Sequence, residues 1–298
     1  MMAAPIDLWA FWDATKAELN SIPAEPEMTP APEISSETAL VYYVSFASLG
    51  GYRVRGWYIT PPVPAGMKLA GMLWLPGYGT AGDATGMLEW ASRGFATLVL
   101  LPRGQGPGKP FPDGSDGKLV HEITDIHRYA YRSVVMDCVR GLQFLRDQAE
   151  VRPERIAVVG GSQGGGLALM TASVCDEDIR VVAAHVPFLC HFDWVIEHAV
   201  QTNPYNHLTK YLEEYPERRG IVRRTLSYFD PVNLVSRLTA PTFLTAGVRD
   251  TTCPRETIGA VFEAITGKKA ILVEPEAGHE WLDDTNQHIL SWLTHYLR

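Results

Sequence analysis

Residues Arg155–Met170 read RIAVVGGSQGGGLALM, and the choice of fold turns on how they are parsed. Ile156–Val159 is a continuous apolar run of the kind buried on both faces of a parallel sheet. Gly160–Gly165 follows with a single hydroxyl, Ser162, at its centre. Gly166–Met170 is small and apolar and opens a helix. Strand, tight turn and helix in this order, with Gly160-x-Ser162-x-Gly164 at the turn, match a nucleophile elbow. The glycines let backbone approach backbone where a Cβ would collide. With 26 glycines in the chain a chance match is easy, so the elbow needs its flanks and partners for Ser162.

Outward from the elbow, the chain alternates short apolar strands with helical periodicity. Lys68–Leu75 reads as a strand ending in Pro76-Gly77-Tyr78-Gly79, and Phe95–Leu101 as another ending in Pro102-Arg103-Gly104-Gln105-Gly106. Asp125–Gln148 carries a helical apolar period, stopped by Pro153. After the elbow come strands at Arg180–Ala184, Pro241–Gly247 and Ala270–Glu274, a helix at Pro254–Ile265 and a closing helix over 283–297. Strands alternating with helices give a mainly parallel sheet flanked by helices, an α/β-hydrolase arrangement in one domain over 1–298. Leu40–Ala47 and Tyr52–Thr60 form a hairpin around Leu49-Gly50-Gly51, expected at the sheet edge. Residues 1–38 read as a helix and then a proline-broken extended arm. Residues 190–228 carry no strong strand and read as a helical insertion over the active-site face, with one helix near Phe192–Ile196 and another near Ile221–Leu226. The loop Pro107–Val120 is dense in Gly, Pro and Asp.

The 298 residues are 46% hydrophobic and 20% charged, enough for one large core. A net charge of -8 without a basic stretch argues against a nucleic-acid partner. No run of about 18 apolar residues predicts a membrane span. The N-terminus lacks a basic n-region and is interrupted by Asp7 and Asp13, so it is not a signal peptide, and a cytoplasmic location is expected. Cys138, Cys175, Cys190 and Cys253 form no C-x-x-C pair. His121-Glu122 and His279-Glu280 do not continue as H-E-x-x-H, so neither a metal nor a cofactor is expected.

Ser162 needs a base and the base an orienting acid; on this fold they follow in the order Ser, acid, His. Asp250 directly follows the Thr242–Gly247 strand, whereas the competing Asp230 precedes Pro231 with no strand before it. His279 follows the last strand. His185 follows a strand but comes before Asp250, and His288 and His295 lie in the closing helix, on its surface. The expected triad is therefore Ser162 as nucleophile, His279 as base and Asp250 as orienting acid. The oxyanion donors are expected to be the backbone N–H groups of Gln163 and Tyr78. Arg103 and Gln105 read as a loop walling the site, with Arg103 paired to an acid or a carbonyl. Pro187, Phe188 and Trp194 are candidates for the pocket lining.

The chain resembles the acetyl xylan esterase and cephalosporin C deacetylase family, carbohydrate esterase family 7, of the α/β-hydrolases. The resemblance rests on Arg103–Gly106 (RGQG), Tyr129–Arg140 (YAYRSVVMDCVR), Gly160–Gly165 (GGSQGG), Pro187–Phe192 (PFLCHF), Thr225–Asp230 (TLSYFD), Asp250–Pro254 (DTTCP) and Gly278–Glu280 (GHE). It implies the same triad and oxyanion positions. It also implies removal of acetyl groups from xylo-oligosaccharides or cephalosporin C, and a cytoplasmic homo-oligomer, up to a hexamer. Pro76 departs from the family, which usually has a histidine there, and the loop after Gln105 diverges. The rival expectations are a broader carboxylesterase or peptidase on the same fold, and a non-catalytic binding scaffold.

Overall fold

A computed structural model describes residues 2–80, 82–105, 111 and 117–298. Gly106 of the Arg103–Gly106 stretch and most of the Pro107–Val120 loop lie outside these residues. The apolar runs become strands: β1 (Glu27–Pro30), β2 (Leu40–Ala47), β3 (Arg53–Thr60), β4 (Leu69–Leu75), β5 (Phe95–Leu101), β6 (Val151–Gly161), β7 (Val181–His185), β8 (Thr242–Gly247) and β9 (Lys269–Glu274). They form one sheet in the order β1-β2-β3-β5-β4-β6-β7-β8-β9. From β5 to β9 neighbouring strands pair in parallel, and β1, β2, β3 and β5 pair antiparallel. This is the mainly parallel sheet expected from the alternation of strands and helices.

Each face of the sheet is covered by helices because the parallel strands are apolar on both sides. One face packs against α1 (Leu8–Asn20), α3 (Ala130–Arg146) and α4 (Gln163–Val174). The other packs against α2 (Leu88–Ser92) and α10 (Asp283–Leu297). On α10, Ile289, Leu293 and Leu297 are buried at helical spacing against Val159 and Ala183. Burying such a side chain contributes about 1.5–3 kcal/mol. Between β7 and β8 lie α5 (Phe192–Glu197), α6 (Tyr205–Glu214), α7 (Arg219–Ser227) and the short α8 (Pro231–Leu234); α9 (Arg255–Ala264) follows β8.

Four expectations need correction. The arm over 20–37 contains β1, which pairs with β2 through Glu27↔Ser45 to Pro30↔Tyr42. The β2–β3 hairpin is therefore one strand in from the edge. All four β1 residues are exposed, so no burial pattern announced the strand. The helix expected from Asp125 begins at Ala130, because Asp125 closes a turn instead: its Oδ1 accepts from His127 N at 2.8 Å and its carbonyl from Tyr129 N at 2.8 Å. Residues 190–228 hold three helices, not two, since Tyr205, Leu208, Thr209 and Leu212 bury one face of α6. Pro153 lies within β6 rather than ahead of it. Among the described residues no helix is long and apolar enough to cross a membrane.

Candidate active site

The carboxyl ends of β4, β6, β7, β8 and β9 converge, the side of an open α/β sheet where ligands bind. At the end of β6, Ser162 has φ 53° and ψ −120°, a left-handed conformation that costs a non-glycine residue about 1–3 kcal/mol. Its surroundings hold it there. The Ser162 N–H donates to His185 O and the Ser162 carbonyl accepts from Phe188 N, each at 2.9 Å. Two of the flanking glycines are required by contact: a Cβ on Gly164 would lie 1.8 Å from Leu75 O, and one on Gly160 would lie 2.4 Å from the Gly164 backbone. The elbow can thus seat α4 against β4 only with glycine at both places.

The partners arrive from the next strand ends. Asp250, three residues beyond β8, divides its carboxylate. Oδ1 accepts from Thr252 N and Cys253 N, both at 2.8 Å, and Oδ2 faces His279 Nδ1 at 2.8 Å. His279 Nε2 is 2.9 Å from Ser162 Oγ. Asp250 is buried and His279 half-buried. Cys253 is packed beside this line, and burial pushes its thiol well above its ordinary range, which keeps it a neutral packing group. Among the described residues, the group able to offer three close metal donors is Asp250, Cys253 and His279; two of these already face each other in the serine–histidine–aspartate line.

Asp230 has a different task. It accepts from His191 N, Phe192 N and Val232 N at 2.8–3.0 Å, capping α8 and fixing the start of α5. Desolvation raises its carboxyl to about 6, against the pull of those hydrogen bonds. His185 lies at the end of β7 between Thr245 Oγ1 (2.7 Å) and Glu280 O (3.2 Å), with the Trp281 ring 3.9 Å away. Burial lowers it to about 4, so it is uncharged at neutral pH.

Opposite the histidine stands the loop after β4. A Cβ built on Gly77 would be 3.9 Å from Ser162 Cβ, which sets Gly77 and Tyr78 beside Ser162. Gln163 is the first residue of α4, where N–H groups have no partner in a preceding turn. A buried polar chain holds these pieces together. Tyr131 Oη donates to Gln163 Oε1 at 3.0 Å, and Gln163 Nε2 donates to Gln105 Oε1 at 3.1 Å. Gln105 Nε2 donates to Gly77 O, and Lys118 Nζ donates to Gln105 Oε1 at 2.5 Å. Lys118 also lies 4.8 Å over the Tyr78 ring. Desolvation lowers its ammonium to about 7.

Arg103 is paired as expected, with both an acid and a carbonyl. Its Nε and Nη2 grip Asp137 at 2.8 and 2.7 Å, and Nη2 also donates to Leu49 O at 2.9 Å. Phe188 is fully buried and meets the Tyr78 ring edge-on at 6.1 Å, with Pro187 packed against α4 at Gly165. Trp194 on α5 stacks at 3.9 Å on the ring of His198, the residue that follows this helix. Sequence reasoning missed Lys118, Asp137, Tyr131 and Trp281. Asp137 and Tyr131 do fall within the Tyr129–Arg140 stretch. A lone lysine in a Gly/Asp-rich loop, by contrast, reads as a solvated charge.

A family model described as acetyl xylan esterase (AXE1) matches residues 1–296. The chain belongs to that family. An acetyl xylan esterase from Paenibacillus sp. R4 is 33% identical, with a TM-score of 0.94 over 100% of this chain and 96% of that one. Acetyl xylan esterase 1 from Thermoanaerobacterium sp. JW/SL YS485 is 25% identical, with a TM-score of 0.93 over the same shares. The acetyl esterase Axe7A of Xylanibacter ruminicola is 27% identical over 301 residues, 97% of this chain; the chain spans 66% of that longer protein. Membership of the acetyl xylan esterase family places the chain among carboxylic ester hydrolases, and these relatives support acetyl ester hydrolysis.

Proposed function

We propose that the chain is a serine esterase that removes short acyl groups, chiefly acetyl, from xylo-oligosaccharides, with cephalosporin C as a further substrate. The observation that carries this reading is His279, whose two ring nitrogens reach Asp250 and Ser162 at 2.8 and 2.9 Å. In the first step Ser162 Oγ attacks the ester carbonyl while His279 Nε2 takes its proton. Asp250 holds the Nδ1–H tautomer and stabilises the imidazolium. The oxyanion is received by the N–H groups of Gln163 and Tyr78; one such donor is typically worth about 3–4 kcal/mol in the transition state. His279 then gives its proton to the leaving alcohol, and the acetyl group remains on Ser162. Water, deprotonated by His279, attacks the acyl-enzyme; the Ser162 Oγ–acyl bond breaks, His279 returns the proton to Oγ, and acetate leaves.

Phe188, fully buried, and Tyr78, half-buried, pack edge to face beside the elbow and favour a short acyl group. A homo-oligomer in the cytoplasm remains part of this reading, on the family resemblance. The test is acetate release from acetylated xylo-oligosaccharides, cephalosporin C and p-nitrophenyl esters from C2 to C8. Rates should fall steeply beyond C2 and vanish with Ser162→Ala. Unchanged release by Ser162→Ala would end the esterase reading, and rates rising toward C8 would end the small acyl pocket.

A further inference from the structure

Beside the triad, on the face covered by α2 and α10, three tryptophans gather around a groove of about 600 Å³. Trp74 comes from the end of β4, Trp90 from α2 and Trp281 from the loop that carries His279. Their rings are close: Trp74 lies 5.7 Å from Trp281 and 6.3 Å from Trp90. Trp281 is 40% exposed despite its size. Asn286 and Gln287, near the start of α10, join the lining with Arg93, which is paired to Glu89. Apolar planes edged by amides form a particular combination. An acyl chain would leave the amides unused, and a nucleic acid would meet Glu89 and Asp283 rather than a basic cluster. A neutral pyranose fits both parts, with a C–H face for an aromatic ring and hydroxyls that both donate to and accept from side-chain amides.

The groove also lies in the right place. Trp281 follows His279 by two residues, and its ring packs on His185. A Cβ on Gly161, the residue before Ser162, would come within 2.5 Å of that ring. One ring therefore separates the groove from the backbone that carries the nucleophile. We propose that the Trp74–Trp90–Trp281 groove is a subsite for a neighbouring, unreacted sugar residue of an oligosaccharide whose acetyl ester sits at Ser162. This rests on the deacetylase reading and adds to it what holds the alcohol portion.

The experiment compares acetylated xylotetraose with p-nitrophenyl acetate, using the full chain and its Trp90→Ala and Asn286→Ala variants. Trp90 and Asn286 are chosen because Trp281 touches the elbow. The ratio of kcat/KM for the oligosaccharide to that for the small ester should fall about ten-fold in each variant, mainly through KM. A ratio within two-fold of the parent overturns the subsite. Binding of unacetylated xylotetraose, read by quenching of tryptophan fluorescence, is independent of turnover. Saturable quenching in the parent that weakens about ten-fold in Asn286→Ala supports the subsite, and no saturable quenching in the parent overturns it. A parent that binds the sugar but cleaves neither ester would count against the deacetylase reading while supporting the subsite. Sedimentation of Trp90→Ala as a smaller species than the parent would assign the groove to contact between copies and overturn the proposal.

Discussion

Lys118 Nζ donates to Gln105 Oε1 at 2.5 Å, and both side chains are buried. Gln105 in turn reaches Gly77 O and receives the Gln163 amide, so one lysine stands behind both proposed oxyanion donors. Replacing it with methionine keeps the length and the packing but removes the donor. Lys118→Met should lower kcat on p-nitrophenyl acetate about 10–100-fold, the cost of a small misplacement at a reacting centre. The sign of the accompanying stability change follows from the lowered ammonium. Between about 7 and 10.5 the unfolded chain holds a proton on Lys118 that the folded chain does not, so stability rises with pH across that window. Denaturation midpoints from pH 7 to 10 should show this rise in the parent and a flatter curve in Lys118→Met. Parallel curves would remove Lys118 from the account.

The sheet was legible because its parallel strands are continuous apolar runs ending in glycine or proline, and such runs have few other folds available. Ser162, Asp250 and His279 were legible because their positions are strand ends in a fixed order. What escaped reading depends on distance rather than pattern. Lys118 takes its role from Gln105, 13 positions away, and from a Tyr78 ring on another loop. Trp281 looks like an ordinary loop aromatic until Gly161 and His185 are seen beneath it. The β1 strand is held by backbone pairing to β2 and by the Glu27 carboxylate, which accepts from Ser45 Oγ and pairs with Arg53 Nη2, both at 3.1 Å, and exposed Glu27–Pro30 carries no apolar signature. The helix α6 escaped for a different reason, since its pattern was present and went unread: Tyr205, Leu208, Thr209 and Leu212 have the spacing of a buried helical face.

Gly164 offers a steric test of the elbow. A methyl there would meet Leu75 O at 1.8 Å, and neither β4 nor α4 can move aside without opening the central sheet. Gly164→Ala should cost about 3 kcal/mol or more of stability and most of the activity per folded molecule. Urea denaturation checks the first and active-site titration the second. Gly79→Ala, with nothing near its added Cβ, bears only the strain of φ +71° and should cost about 1 kcal/mol. Equal losses at the two positions would contradict the close packing at the elbow.

Acid stability turns on His185. Burial lowers it from 6.5 to about 4, so between those values the unfolded chain binds a proton that the folded chain refuses. Stability is therefore lost as pH falls from 6.5 toward 4. Asp230 works the other way: its carboxyl is raised from 3.8 to about 6, so the folded chain binds the extra proton as pH falls through that range. His185→Gln keeps a hydrogen-bonding group between Thr245 and Glu280 but removes the titration. The drop in melting temperature between pH 6.5 and 4 should be smaller in His185→Gln than in the parent. An unchanged drop would show that the acid lability comes from other groups.

The two buried aspartates should separate cleanly by substitution. Asp250 Oδ2 faces His279, while Oδ1 holds Thr252 N and Cys253 N. In Asp250→Asn an amide oxygen can still accept from the loop, but the group facing His279 no longer fixes its tautomer. The fall in kcat should be about 10⁴-fold, as for a triad that loses its acid, with a small change in melting temperature. Asp230 touches none of the triad residues and satisfies three backbone N–H groups that start α5 and α8. Asp230→Ala leaves those donors buried and unpaired, a loss of about 2–5 kcal/mol. Activity corrected for the folded fraction should fall far less than in Asp250→Asn. Steady-state kinetics on p-nitrophenyl acetate, paired with urea denaturation, read both quantities. If Asp230→Ala matched Asp250→Asn in kcat while remaining folded, Asp230 would have to act in the chemistry, and the assignment of the acid would change.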